Sequence, residues 1–341
     1  MLNNKSSTEV KMTHPLRITR IIDWLELARP EHLFSAISNS WLLVLLSAYV
    51  DSSQHQNAAL MQMPLALRLL LATLIPAGLG ICGIFFNDVL DLKHDRTFRP
   101  ASPIAAGRVS VSRAATLAIA SLLVALGAAT FLGSFSTMLC VMTAGAILFF
   151  NICGKFLPAT GLISMGLIRV MTMFICVPQM GFAWPACMTL SHIVICMAMV
   201  YAVEGRRPRM RGTDLGQLAA GTLFWAVLLV LFMVMRQTVL LHDYPNIWMG
   251  PLGALGIFVV ISIAYLKPRL PVLRARRQTA RRYQQLAMLW LIVYDMSWML
   301  SIGKIFEAIL IAVLGVVAAG IVTLVALRRH YADEAGRYRV A

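Results

Sequence analysis

Long runs of apolar residues, separated by short polar loops, dominate the pattern along this chain. Ten runs are apolar and long enough to suggest membrane-spanning helices, for which about 20 residues are needed. They cover residues 33–50, 65–87, 112–132, 136–153, 158–180, 184–204, 217–240, 247–266, 284–300 and 304–327. The run at 284–300 is short and contains Asp295, so nine spans are the alternative to ten. The pattern predicts an all-α, polytopic membrane bundle.

The pattern also divides the chain into three regions. Residues 1–32 are expected to form a cytoplasmic tail and an interfacial helix, in which Ile21, Ile22, Trp24 and Leu25 lie on the membrane surface. Residues 33–327 are the predicted transmembrane domain, and residues 328–341 a basic cytoplasmic tail.

Composition and charge support a membrane location. The chain is 59% hydrophobic and 13% charged, and its mean hydropathy is +0.75. The net charge of +15 comes mostly from short loops that alternate with loops almost free of Lys and Arg. Such alternation follows the positive-inside rule and not a nucleic-acid surface. We therefore expect no nucleic-acid partner and an integral protein, in the bacterial plasma membrane, with its acidic site and both termini facing the cytoplasm.

One loop combines acidic and basic residues in an unusual way. The stretch Asn87–Ser110 reads NDVLDLKHDRTFRPASPIAAGRVS, although the whole chain holds only 15 Asp and Glu residues. Asp88, Asp91 and Asp95 have helical spacing, so they can share one face. Carboxylates at a helix C-terminus oppose the helix dipole, so a solvated helix end is the weaker interpretation. Asn87 and the three acids suit Mg²⁺, and the arginines that follow suit phosphate oxygens.

The same stretch resembles a known motif. NDVLDLKHD, followed by Arg99-Pro100, Pro103-Ile104 and Gly-Arg-Val-Ser, is similar to the first aspartate-rich motif of the UbiA superfamily of intramembrane prenyltransferases. Three further features resemble the family: Ala28-Arg29-Pro30, with Asn39 after it, the loop lysine Lys155, and the small-residue helix that ends at Arg169.

The resemblance implies a helical bundle around a central cavity and the transfer of a prenyl group from a prenyl diphosphate. The acceptor would be a small lipophilic or aromatic molecule, and membrane lipids would surround the reaction. Mg²⁺ would be held by Asp88, Asp91 and Asp95. The catalytic set would further include Lys155 and Glu204. The substrate-binding set would be Asn39, Asn87, Arg99, Arg108, Arg169, Tyr201, Arg206 and Arg207.

The sequence departs from the family pattern in the second acidic motif. That motif is reduced to Tyr201, Glu204 and a distant Asp214. Arg206 and Arg207, which follow, either bind diphosphate in place of a second metal or form a positive-inside loop. Tyr201 followed by Glu204 resembles the EboC-like branch of the superfamily. The alternative function is therefore a non-catalytic terpenoid carrier or an accessory protein for the export of a specialised metabolite.

Asp295 is a further acid within an apolar run. Carboxylates inside membranes are candidates for functional sites because burying their charge is costly. The sequence leaves three interpretations open: a functional group, a hydrogen-bonding partner of a neighbouring helix, or part of an interfacial turn.

Overall fold

The structure is a computed structural model that describes residues 17–50, 62–205, 209–235, 244–267 and 273–338. Within these residues the chain forms α-helices and one 3₁₀ turn, Gly154–Phe156, and no strand. The helices are α1 Arg17–Ala28, α2 Pro30–Val50, α3 Leu65–Leu90, α4 Leu92–Phe98, α5 Val111–Thr130, α6 Ser134–Ile152, α7 Pro158–Phe174, α8 Trp184–Glu204, α9 Gly212–Met235, α10 Met249–Leu266, α11 Leu273–Ser301 and α12 Ile305–Tyr338.

Each of the ten predicted spans contains a helix, so the predicted all-α fold is confirmed. Eight of these helices are long and apolar enough to cross a membrane. The other two are α7, an apolar helix of 17 residues, and α11, which has 29 residues but begins with a strongly basic sequence.

The span predicted at 158–180 is too long. Helix α7 ends at Phe174, and residues 175–183 form bends, turns and irregular chain. Pro178 has no N–H to donate to the carbonyl of Phe174, which would be its helical partner. That carbonyl instead accepts from the amide of Val177 at 3.0 Å. Residues 236–243, which include the end of the span predicted at 217–240, lie outside the described part of the chain.

The run at 284–300 is part of a helix that is longer than predicted. Helix α11 begins at Leu273, so the apolar run is the second half of a longer helix. Several of its large side chains are almost completely buried, among them Tyr283, Leu291, Trp298 and Met299. The last helix, α12, likewise continues to Tyr338 instead of ending at 327 as predicted.

Helix α2 lies at the centre of the bundle. It packs against α3, α7, α11 and α12, whereas α5, α6 and α9 expose wide apolar faces. Leu42, Leu43, Val44 and Leu46 have no exposed surface. Helix α2 also carries a row of buried polar residues, Ser35, Ser38, Asn39 and Ser40, on a segment surrounded by apolar helices. Their hydrogen bonds must therefore come from within the bundle.

The predicted amphipathic helix near the N-terminus exists as α1. Leu27 and Trp24 pack on α3, where the Trp24 ring lies 5.8 Å from that of Phe85, while Ile21 is exposed. The helix therefore covers the C-terminal half of α3 with one face and leaves Ile21 on the other.

The close contact of α3 with α5 depends on a glycine. A Cβ added at Gly78 would lie 2.4 Å from the carbonyl oxygen of Ser121 and 2.9 Å from the Cβ of Ala125. We expect Gly78→Ala to lower the free energy of unfolding by about 1–3 kcal/mol because the two backbones must separate. Gly127→Ala, in α5, meets nothing within 4 Å and should instead be neutral or stabilising by up to about 1 kcal/mol. Thermal unfolding of both variants in detergent measures this difference, and equal melting temperatures would contradict it.

Candidate functional site

The first acidic motif, Asp88, Asp91 and Asp95, lies where α3 passes into α4. The helical hydrogen bonds continue through the junction: Asp91 N donates to Asn87 O at 2.9 Å, and Asp95 N donates to Asp91 O at 2.8 Å. The three acids therefore keep helical spacing, as the sequence predicted. Asp88 and Asp95 are each only 7% exposed. Two carboxylates are thus buried at one helix junction, where they require compensating partners.

Two basic residues from other segments of the chain bind these acids. Arg29, at the joint between α1 and α2, places Nη2 2.5 Å from Oδ1 of Asp88. Lys155, in the 3₁₀ turn before α7, places Nζ 2.5 Å from Oδ1 of Asp91 and 3.2 Å from Oδ1 of Asn87. Asn87 also donates to Asp88 at 3.3 Å. Lys155, which the resemblance placed in the catalytic set, therefore lies beside the first motif.

Arg29 has an unusual backbone conformation. Its φ is +49°, a left-handed value that costs non-glycine residues of order 1 kcal/mol or more. The following Pro30 begins α2 and disfavours the right-handed helical conformation at Arg29. The break between α1 and α2 directs the guanidinium towards Asp88. Arg29 belongs to the Arg-Pro pair that resembles the family, but it was not predicted as a site residue.

Glu204 stands opposite the first motif. It lies at the end of α8, where Gly205 adopts φ +67° and terminates the helix. Nη2 of Arg99 lies 3.9 Å from its Oε1, so the loop after α4 links the two acidic regions. Tyr201 is half-buried one turn earlier on α8. Asp214 takes no part here, because it accepts from the amide of Arg211 at 2.7 Å, at the start of α9.

The chemistry of the motif suits a divalent cation, but its side chains are engaged elsewhere. Burial raises the pKa of the Asp95 carboxyl; Arg99 opposes this rise and the charge of Asp88 adds to it. Asp88, Asp91 and Asp95 therefore act on one another electrostatically. In the described part of the chain, however, no three acidic, His or Cys side chains converge on one point. Arg29 and Lys155 each bond one carboxylate oxygen of the motif, Oδ1 of Asp88 and Oδ1 of Asp91.

Arg108 points away from this group. Its Nη1 lies 2.5 Å from Asp23 and 3.4 Å from Glu26, both on α1, and its Nη2 donates to the carbonyl of Ala101 at 2.7 Å. Arg328, on α12, also donates to Asp23 at 2.6 Å. Arg108 therefore ties the loop after the first motif to α1, a role that the sequence did not predict.

The remaining predicted substrate-binding residues are Asn39, Arg169, Arg206 and Arg207. Asn39 and Arg169 lie within the bundle, where Asn39 donates to Asp295 and Arg169 donates to the carbonyl of His32. Asp295 thus bonds a neighbouring helix, which was one of its three interpretations. Arg206 and Arg207 lie outside the described residues.

Comparison with known proteins gives short sequence matches and distant structural ones. No family model matches the chain. Digeranylgeranylglyceryl phosphate synthase from Sulfurisphaera tokodaii is 27% identical over 84 residues, which are 25% of this chain and 30% of that protein. The match thus spans less than a third of that relative. This relative belongs to the UbiA superfamily, the family that the sequence of this chain resembles.

Two solved structures are also similar. One is a digeranylgeranylglyceryl phosphate synthase with 15% identity and a TM-score of 0.47, covering 84% of this chain and 99% of that one. The other is the apo structure of a UbiA homolog from Aeropyrum pernix K1 with 15% identity and a TM-score of 0.40, covering 86% of this chain and 98% of that one.

The contacts of Arg108 allow two roles to be distinguished, which are holding α1 and binding diphosphate. If Arg108 mainly holds α1, Arg108→Met should raise amide hydrogen exchange in α1 by about tenfold, because the helix loses an ion pair to a buried acid. The KM for a prenyl diphosphate should then change less than about twofold. Arg113→Met, at an exposed arginine at the start of α5, is the matched control. Unchanged exchange in α1 together with a large rise in KM would instead identify Arg108 as a diphosphate ligand.

Proposed function

We propose that this chain is a prenyltransferase of the UbiA type. It would move a prenyl group from a prenyl diphosphate to a small lipophilic or aromatic acceptor within the membrane. The observation that carries the proposal is the set of opposed charges at the first motif. Arg29, Lys155 and Arg99, from three separate segments, meet the acids at the end of an apolar bundle.

This set of charges suits a ligand with a diphosphate head and an apolar tail. Arg29 and Lys155 are each paired with one carboxylate, so both cations are already held at the site before any ligand binds. A diphosphate offers them several anionic oxygens, which guanidinium and ammonium groups bind well. Arg99, with 52% of its side chain exposed, can approach the same ligand from the loop. The apolar helices beside the motif would accept the prenyl chain.

Mg²⁺ fits the chemistry of the acidic residues. Asp88, Asp91 and Asp95 would hold the ion, and Arg29 and Lys155 compete for the same oxygens. When bound, Mg²⁺ neutralises charge on a leaving diphosphate and so promotes cleavage of the allylic C–O bond. The protein would orient the diphosphate through Lys155 and Arg99 and keep water from the prenyl carbon with its apolar helices. We expect the site to face the cytoplasm, since the loop that carries it belongs to the alternate loops in which most Lys and Arg occur.

A second candidate function is supported by one feature of the site. Glu204 is the one acid that the described part of α8 contributes opposite the first motif. A protein with a weakened second metal site could bind a terpenoid or its diphosphate without transferring it. The chain would then act as a carrier or accessory protein, for example in the export of a specialised metabolite.

Neutralising the first motif tests the enzymatic proposal. We expect Asp88→Asn and Asp91→Asn each to reduce prenyl transfer by at least about 100-fold, because each loses a carboxylate needed for charge stabilisation. Glu307→Gln is the matched control, since Glu307 accepts a hydrogen bond from Tyr49 between α2 and α12, remote in sequence from the motif. Transfer is measured with a labelled prenyl diphosphate in membranes, and unfolding is followed in parallel. Full activity in both aspartate variants would refute the proposal.

Removing divalent cations distinguishes the enzymatic function from the carrier function. An enzyme should release diphosphate from a prenyl diphosphate in washed membranes, lose this turnover in EDTA and regain it with added Mg²⁺. A carrier should bind the same ligand with no diphosphate release under either condition.

A further inference from the structure

A buried asparagine lies about one helical turn before Lys155. Asn151 is the second-last residue of α6, is 3% exposed and donates through Nδ2 to the carbonyl of Gly83 on α3 at 3.0 Å. In an α-helix a carbonyl accepts from the amide four residues later, so the carbonyl of Gly83 belongs to the turn that leads to Asn87. Asn151 therefore bonds α3 directly before the first acidic motif.

The bonds of Asn151 and Lys155 to α3 have the same register. Asn151 lies 68 positions from Gly83, and Lys155 lies 68 positions from Asn87, which its Nζ contacts at 3.2 Å. The same Nζ lies 2.5 Å from Asp91, one further turn along α3. Because α3 and α6 both end at the first motif, they run in the same direction. A step of one turn on α3 is therefore matched by the step from Asn151 to Lys155.

The lack of a side chain at Gly83 allows this contact. A Cβ added there would lie 2.9 Å from Cγ2 of Ile147, which precedes Asn151 by one turn on α6. Ile147 and Asn151 thus face α3 together, one as an apolar contact and the other as a hydrogen-bond donor. A larger residue at Gly83 would push α6 away from α3 and take the amide of Asn151 out of reach.

The turn that carries Lys155 is also held from the side of α7. A Cβ added at Gly161 would lie 2.7 Å from the carbonyl oxygen of Gly154, so α7 packs directly on the backbone of the turn. The same carbonyl accepts from the amide of Leu157 at 3.1 Å. The chain between Asn151 and Lys155 has little room to change its path. A shift of Asn151 along α3 is therefore expected to move Lys155.

Helix packing alone does not require an asparagine at this position. An apolar side chain would fill the space without burying an amide, whose removal from water is costly. A buried asparagine forms its bond at one register only, which is how single asparagines fix the register of paired helices at some cost in stability. The bond of Asn151 goes to the turn next to the first motif, so the register that it fixes is the one in which Lys155 meets Asp91.

We propose that Asn151 is a positioning residue, which holds α6 against α3 so that Lys155 meets Asn87 and Asp91. The amide of Asn151 is bonded to the backbone of α3 and acts on the ligand only through Lys155. This inference rests on the proposed function, in which Lys155 orients the diphosphate, and it adds the residue that determines where Lys155 stands.

Chemical modification of Lys155 tests the inference without any substrate. The purified full-length protein in lipid nanodiscs is treated with acetic anhydride, and acetylation is followed by mass spectrometry. Lys304, which lies over the ring of Tyr49 where α2 ends, is the internal reference. The Lys155 side chain is 15% exposed and its Nζ is bonded to Asp91. We expect Asn151→Ala to raise the acetylation rate of Lys155 relative to Lys304 at least about fivefold, because the released side chain becomes accessible.

Thr143→Ala is the matched control for this measurement. Thr143 is also buried on α6, but its hydroxyl donates to the carbonyl of Leu139 on the same helix at 2.7 Å and does not reach α3. The acetylation rate of Lys155 should therefore stay within about twofold of the unaltered protein. If Asn151→Ala does not fold, Asn151→Ser takes its place, since a serine hydroxyl can bond a carbonyl of its own helix.

A double-mutant cycle relates the position of Lys155 to prenyl transfer. We expect Asn151→Ala to lower kcat/KM for a prenyl diphosphate about tenfold when Lys155 is present, but less than about twofold in the Lys155→Met background. A positioning residue has no further effect once the residue that it positions is removed. A residue that only stabilises the fold would lower kcat/KM by the same factor in both backgrounds.

The outcomes distinguish this inference from the proposed function. An unchanged acetylation rate of Lys155 in a folded Asn151→Ala or Asn151→Ser variant overturns the inference, and so does an equal loss of kcat/KM in the two backgrounds. If the unaltered protein transfers no prenyl group, the proposed function fails. The acetylation rates then still decide whether Asn151 positions Lys155, because they need no substrate.

Discussion

Burying carboxylates in an apolar bundle is the constraint on which this structure depends. A charged group within a membrane protein must find donors or cations inside the protein, because the surrounding lipid offers none. Asp88 meets Arg29 and Asp91 meets Lys155, while Asp295 meets two neutral donors on α2. Each of these contacts joins segments far apart in sequence. The acids therefore determine which helices must adjoin and where the chain must break.

Helix α2 satisfies more of these requirements than any other described helix. Arg29, just before its first residue, binds the first motif, and Asn39 binds Asp295 about 15 Å further along its axis. The central position of α2 follows from this, since it must contact α3 at one level and α11 at another. The left-handed conformation of Arg29 is consistent with such a requirement. A straight continuation of α1 into α2 would direct this side chain differently.

The fold and the first motif could be predicted from the sequence because both depend on local patterns. Apolar runs identify the helices, and helical spacing puts Asp88, Asp91 and Asp95 on one face. The partners of these acids depend on tertiary contacts. Arg29 lies 59 positions from Asp88, and Asn39 lies 256 positions from Asp295. Arg108 was predicted as a phosphate ligand from its place in the motif, and its bonds to two acids on α1 had no signal in the sequence. The early end of α7 had a local signal in Pro178.

The two groups of buried charge differ in a way that bears on their roles. At the first motif the acids are paired with cations that carry exposed surface, such as Arg29 with 32% of its side chain accessible. Such pairs can exchange partners when an anion arrives, because water and ligand can reach the basic group. Asp295 is instead bonded by Ser38 and Asn39, which have no exposed surface. This contact therefore joins α2 to α11 inside the bundle, whereas the pairs at the first motif lie where water can reach them.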